Sequence, residues 1–287
     1  WKTDLIVNAD DFGRSREINA AVVRAHREGV LTSASLMVTG EAAAEAVALA
    51  REMPSLAVGL HLVLAAGRAA LPPAKIPHLV DGEGNFPVDP AAAGLALFLK
   101  PAARGELAHE IAAQLDLFAA TGLPLSHVDG HCHLHVHPTV FDLLLPQVLR
   151  HGARGFRLPR DPLVPALRWS ARRPLAKVSW AAAFGLLSRR CRRRLAGLPL
   201  RVPERCHGLM RSGDMGEAYV LDLLARMGKR PAGSAEIYFH PTSGARVEAL
   251  GPNPDDLAAL LSPRVRQAIE NGGLRLTTYA GLAGGSV

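Results

Sequence analysis

The sequence predicts an α/β fold: a single (β/α) TIM-like barrel, somewhat distorted, with its active site at the C-terminal ends of the strands. Three observations carry this. The 287 residues suit one such barrel, an architecture of roughly 250 residues. Short apolar runs alternate with segments of helical periodicity, the pattern of βα units around a parallel sheet. Unusual polar residues fall repeatedly just past the apolar runs, where the loops of a parallel barrel converge.

LIVNA (5–9) reads as a buried strand. Ile18, Ala21, Val22 and Ala25 then recur at helical spacing, with Gly29 as a C-cap. SASLMV (33–38) is a second strand, Glu41 to Met53 a helix stopped by Pro54, and LAVGLHL (56–62) a third strand. Residues 65–105 are rich in Gly, Pro and Ala, carry DGEGN at 81–85, and are expected to hold little regular structure. Glu106 to Thr121 reads as a helix, PLSHV (124–128) as a strand, and Pro138 as the first turn of a helix reaching about Arg150. ARGFRL (153–158), AEIYF (235–239) and LRLTTY (274–279) complete the strands, with helices over Glu217 to Met227 and Pro263 to Asn271. No internal repeat is visible. Residues 1–287 are therefore read as one domain, with excursions at about 65–105 and about 162–205.

Hydrophobic residues at 48% with 21% charge describe a globular chain with a sizeable core, and aromatics at 5% lean towards helix-rich α/β. Cys132, Cys191 and Cys206 are odd in number and lack CxxC pairing, which points to a reducing compartment. No signal peptide and no run of ~18 apolar residues is visible, so a cytoplasmic protein is expected; the initial Trp leaves a trimmed leader open. The net charge of +7 is local. Ten of the 33 basic residues lie between Pro162 and Pro203 without a single Asp or Glu, leaving 23 basic against 26 acidic residues elsewhere.

The polar residues at the strand ends carry the chemistry. Asn8, Asp10 and Asp11 follow the first strand, His61 interrupts the third, and Asp129, His131, His133, His135 and His137 follow PLSHV. Arg157 and Arg160 border the next strand, and His240 follows EIYF. Asp10 and Asp11 serve equally well as a helix N-cap and as a cation-binding pair. A lone His61 in an apolar strand is more often a hydrogen-bonded core residue than a ligand; the cluster HVDGHCHLHVHP changes that balance. One catalytic metal takes about three protein ligands, so most of this cluster is left to orient others. Cys132 stands alone, which disfavours a structural zinc site. One Asp and two His from three strands bind zinc, iron, nickel or cobalt, with magnesium open through oxygen-rich coordination. The same set serves hydrolases and non-haem iron oxygenases, and spacing does not separate them.

NADDFG, GLHLVL, HVDGHCHLHVHP and EIYFHP, in this order and spacing over nearly the whole chain, resemble the YdjC-like (ChbG-like) carbohydrate deacetylases. FRLPRDP (156–162) and the basic segment after it are most similar to the branch associated with hopanoid biosynthesis, HpnK. The resemblance implies a (β/α) barrel that removes the acetyl group from an N-acetylglucosamine-containing substrate. In the hopanoid branch that substrate is an N-acetylglucosaminyl bacteriohopanetetrol, and soluble chito-oligosaccharides are the alternative. It further implies one divalent metal, zinc first, held by Asp11, His61 and His131, with Asp10 as general base and His240 as general acid. Asp129, His133 and Arg157 are carried along as substrate-binding or supporting residues; a surface or helix-capping salt bridge explains Arg157 nearly as well. HCH at 131–133 departs from the unbroken histidine run of relatives and leaves open how Cys132 bears on metal preference.

In the basic segment, Val178 to Leu187 form an apolar decade flanked by arginines, too short to span a bilayer. It suits peripheral contact with an anionic membrane, at the inner face of a bacterial inner membrane, where a glycolipid could be reached in place. Packing on the protein's own core is an equal alternative. Nucleic-acid binding is not expected, because no recognised motif accompanies the cations.

Overall fold

The computed structural model describes residues 3–99, 103–163, 169, 174–229, 231, 233–246 and 248–282. The parts of the basic segment at 164–168 and 170–173 lie outside the described residues. Eight parallel strands are described: β1 (Thr3–Phe12), β2 (Ser33–Leu36), β3 (Ala57–Leu62), β4 (His127–Gly130), β5 (Gly155–Phe156), β6 (Arg205–His207), β7 (Ser234–Phe239) and β8 (Leu274–Thr277). Their order is β5-β4-β3-β2-β1-β7-β6. Strand β1 pairs with β7 over Asp4–Ala9, while its other edge meets β8 at Thr3–Ile6 and then β2 from Asn8 onwards. The sheet curls until its ends approach each other. Phe156 N donates to Arg201 O at 3.0 Å and Arg201 N to Arg154 O at 2.9 Å, which links β5 to the chain entering β6. The result is a distorted TIM-like barrel.

Helices α1 (Arg16–Arg27), α2 (Ala43–Arg51), α3 (Pro90–Leu99), α4 (Ala103–Ala120), α5 (Pro138–Arg150), α6 (Pro174–Leu195), α7 (Glu217–Lys229), α8 (Pro254–Leu261) and α9 (Pro263–Asn271) accompany the strands. Each boundary has a local cause. Ser15 caps α1 by accepting from Ile18 N, and Pro138 and Pro263 occupy first turns where no amide hydrogen is needed. Helix α3 forms within residues 65–105, where little regular structure was expected. Its run PAAAGLALFL has almost no polar face, so helical periodicity has nothing to register on. In α6, Phe184 and Leu187 pack against the main core, whereas Leu175, Val178 and Leu186 stay exposed. No helix among the described residues is long and apolar enough to cross a membrane.

Two local features shape the strands β1 and β3. The β1–β2 register shifts between Ala9 and Phe12, so that Asp10 and Asp11 together oppose Ser35. Such a bulge re-aims side chains, and here it lets two consecutive carboxylates both reach the interior. Asp11 carries the strain, with φ at 63°. The second feature is Gly59 on β3, where an added Cβ would stand 2.4 Å from the His127 ring. That ring bonds Ser35 Oγ at 3.0 Å and stacks on Tyr279. Gly59→Ala is expected to destabilise the fold by about 1–3 kcal/mol, the usual range for overpacking, read as a lower urea midpoint.

Candidate active site

Strands β1, β3 and β4 deliver Asp11, His61 and His131 to one place. Asp11 Oδ1 lies 3.0 Å from His131 Nδ1 and 3.3 Å from His61 Nε2, and the two imidazole rings are 5.5 Å apart at 71°. His61 turns its other nitrogen to Asp129, with Nδ1 to Oδ1 at 2.8 Å. With its proton on Nδ1, the ring would have the Nε2 lone pair free for a cation on the Asp11 side. Asp129 is fixed in turn by Ser35 Oγ, which donates to Oδ2 at 2.7 Å.

Arg157 is fully buried just past β5, not at the surface, and donates four hydrogen bonds there besides an ion pair with Asp129. Nη1 and Nη2 grip Asp10 at 2.7 and 2.8 Å, Nη1 also meets Asp129 at 2.8 Å, and Nε and Nη2 meet Glu236 at 3.0 and 2.7 Å. Glu236 accepts a further bond from Tyr279 Oη at 2.6 Å, and the Tyr238 ring lies 4.6 Å from the guanidinium carbon. Asp10 Oδ1 accepts from both Arg157 Nη2 and Asn8 Nδ2, so its lone pairs are filled; Oδ2 accepts only from Arg157. The less occupied oxygen, Oδ2, lies 4.0 Å from His240 Nε2.

Charge explains the titration of these groups. Asp10, Asp11, Asp129 and Glu236 are buried around one fully buried guanidinium, so the interior carries excess negative charge. Burial works against the charge on Asp11, but His131 and His61 hold its carboxyl well below the usual range. Burial also works against a proton on His61, yet Asp129 and Asp11 overcome it and lift the imidazole to about 9. His131 is raised well above its ordinary value against burial by Asp11. The two rings thus take up positive charge where the carboxylates demand it. His240 behaves oppositely: burial lowers it, and Asp10 and Asp11 offset this only in part. Its backbone N–H is anchored on Asp256 Oδ2 at 2.9 Å.

Three converging donors, one carboxylate and two imidazoles on a surplus of negative charge, fit a divalent cation. A second group, Asp10, His61 and Asp129, also clusters, but both of its carboxylates are already ion-paired with Arg157. The remaining histidines of the 127–137 run turn elsewhere. Cys132 and His133 sit in the left-handed region at φ 54° and 57°, which throws the chain into a tight turn after His131. His133 Nε2 bonds Tyr238 Oη at 2.9 Å, and His135 Nε2 donates to Arg157 O at 3.0 Å.

Burial pushes His135 down to about 4. Because its folded value lies below the ordinary 6.5, its contribution is present above that pH and is lost as pH falls towards 4. That loss is on the order of 3 kcal/mol across the window. Urea unfolding at pH 7 and pH 4.5 should show a smaller acid loss in His135→Gln than in the unmodified protein.

Ser35, His127, Glu236, Asp256 and Tyr279 escaped the sequence reading. Glu236 alone left a trace, as a carboxylate inside the apolar strand AEIYF.

The family model described as YdjC-like protein matches residues 4–271. A carbohydrate deacetylase of Brevibacillus brevis is 47% identical over 155 residues, covering 54% of this chain and 57% of that protein. A chitooligosaccharide deacetylase of Salmonella schwarzengrund is 38% identical over 171 residues, covering 55% and 59%. The chain therefore spans little more than half the length of these curated relatives. A solved structure from Enterococcus faecalis V583, whose suggested role is cellobiose-phosphate cleavage, aligns over 99% of this chain and 100% of its own. Its TM-score is 0.74 at 24% identity, a shared fold. A family match running from β1 to the end of α9 takes in Asp10, Asp11, His61, His131 and His240, and the chain belongs to the YdjC-like protein family.

Proposed function

We propose that the protein is a metal-dependent hydrolase that removes the N-acetyl group from an N-acetylglucosamine-containing substrate. The observation that carries this reading is the meeting of Asp11, His61 and His131 donor atoms at one point, with Asp10 and His240 beside it. A divalent cation held by those three would supply a Lewis acid for water and for the acetyl carbonyl, with zinc the first choice. Asp10 Oδ2, with a lone pair to spare, takes the proton of the attacking water. Arg157 keeps that carboxylate in place through two bonds. His240 Nε2 then carries a proton to the departing amine, which cannot leave as an amide anion. Since burial keeps His240 below the ordinary range, the 4.0 Å approach to Asp10 lets it receive that proton during turnover.

The names of the relatives support an amino-sugar substrate. The exposed Leu175, Val178 and Leu186 on α6, followed by Arg189 and Arg193, favour a glycolipid form at an anionic membrane surface, the N-acetylglucosaminyl hopanoid. The cytoplasmic face of the inner membrane is the corresponding location. The test is acetate release by the metal-reconstituted protein from this lipid in anionic vesicles and from diacetylchitobiose. Preference for the lipid supports the hopanoid branch, preference for the soluble sugar replaces it, and no acetate from either refutes the deacetylase reading.

A further inference from the structure

We infer that the protein has a second ligand site, outside the barrel and independent of the Asp–His set, that binds an organic phosphate with an apolar body. The site is a cavity of about 1050 Å³ between α6 and α7, along the outer side of β6. Alternation along β6 places it. Cys206 faces the interior, 3.8 Å from Glu236 Oε2, so Arg205 and His207 on either side of it face outwards. None of the lining side chains belongs to the proposed metal or proton-transfer residues.

The first indication is His207. It is 3% exposed, and its Nε2 is buried without a partner while the residue lines the cavity. Its other nitrogen is held by Asp161 Oδ1 at 3.2 Å. Asp161 is itself fixed by Gly208 N and Met210 N at 3.1 and 3.0 Å. A buried polar nitrogen without a partner costs roughly 1–3 kcal/mol, and a ligand hydroxyl donating to it, such as the P–OH of a phosphate monoanion, would remove that cost. The ring is therefore oriented by the protein on one side and presented to the cavity on the other.

The second indication is charge. Arg160, Arg192 and Arg205 line the same space, and among the described residues no carboxylate pairs with Arg160 or Arg205. Arg192 donates to Pro203 O; burial and the neighbouring Arg160 depress its proton affinity, and Glu204, also on the wall, offsets this in part. Two guanidiniums crowd each other there, with Asp161 already committed to His207. A group carrying more than one negative charge relieves this better than a carboxylate does. Phe184, Leu209, Met210 and Leu223 form an apolar stretch of the same wall, beside the charged Glu204, Arg226 and Lys229, and give a hydrocarbon body somewhere to lie.

Gly185 provides a clean test. It lines the cavity, and a Cβ built on it meets no atom within 4 Å. Gly185→Leu therefore fills the space without touching the core, and it favours the helix. Octyl phosphate, glucose 6-phosphate and octanol would be titrated calorimetrically into the full chain. Octyl phosphate should bind at least tenfold more tightly than either of the others. Affinity should fall at least tenfold in Arg160→Ala/Arg192→Ala and in Gly185→Leu, and be unchanged in Arg27→Ala on the exposed face of α1, with melting temperatures verifying the fold of each variant. Equal binding of glucose 6-phosphate would remove the apolar subsite. Octyl phosphate binding that survives both cavity variants would overturn the site altogether.

Discussion

Replacing Arg157 by Met should destabilise the protein by about 3–5 kcal/mol, the largest stability effect expected of any single substitution here. The side chain is of similar length and apolar, so the loss is electrostatic rather than steric. Without the guanidinium, Asp10, Asp129 and Glu236 lose the cation between them while remaining buried. Burial works against the charge on Asp129 and Arg157 is the largest influence holding its carboxyl down, so the folded-state value rises when the guanidinium is removed. The variant's deficit is therefore small in acid and grows as pH rises out of the carboxylate range. Urea unfolding of both proteins at pH 5 and pH 8 measures it. Arg157→Lys should recover only part, since one ammonium with three donors cannot reproduce five N–H groups in a plane. A deficit below 1 kcal/mol at pH 8 would mean that the three carboxylates are compensated by something other than Arg157.

The second large effect is catalytic. Asp10→Asn should lower acetate release by about 10²–10⁴-fold, the range of a lost acid–base group. The amide oxygen can still accept from Arg157, but no basic lone pair remains at the position facing His240. Metal content should stay at the unmodified level, because Asp10 is not among the converging donors. His61→Ala should instead lose metal and turnover together, since it removes one donor of three and strands Asp129 Oδ1. Metal analysis and acetate assays on the two variants separate the roles. Turnover in Asp10→Asn within threefold of the unmodified protein would take the base role away from this residue.

How much of this could be read in advance follows from which forces write themselves locally. Two helices opened by proline were legible, α5 at Pro138 and α9 at Pro263, while α3 at Pro90 and α8 at Pro254 were not. Strands with four or more apolar residues were legible too. Strand β6, only Arg205–His207, was not, because three residues carry no period and pairing with β7 alone defines it. Helix α8 was missed where Asn253 caps it by accepting from Asp255 N, a cap next to another proline helix. At the site, the strand-end positions of Asp11, His61 and His131 could be read, since a parallel barrel converts sequence register into convergence. The role of Arg157 could not. Its partners come from β1, β4 and β7, and no local pattern announces a guanidinium that meets three distant carboxylates.

Strand β1 joins its partners β7 and β8 only across separations of roughly 230 residues or more, and Arg275 clamps Asp4 with two bonds of 2.7 Å. During synthesis, Asp10 and Asp11 therefore leave the ribosome long before the strands that complete their surroundings. Completion of the surroundings of Asp10 by Glu236 and His240 must wait for late, long-range closure, which topology makes slow. A nascent chain would meanwhile present an unpaired apolar edge at LIVNA, making it a natural client for chaperones that shield exposed strands.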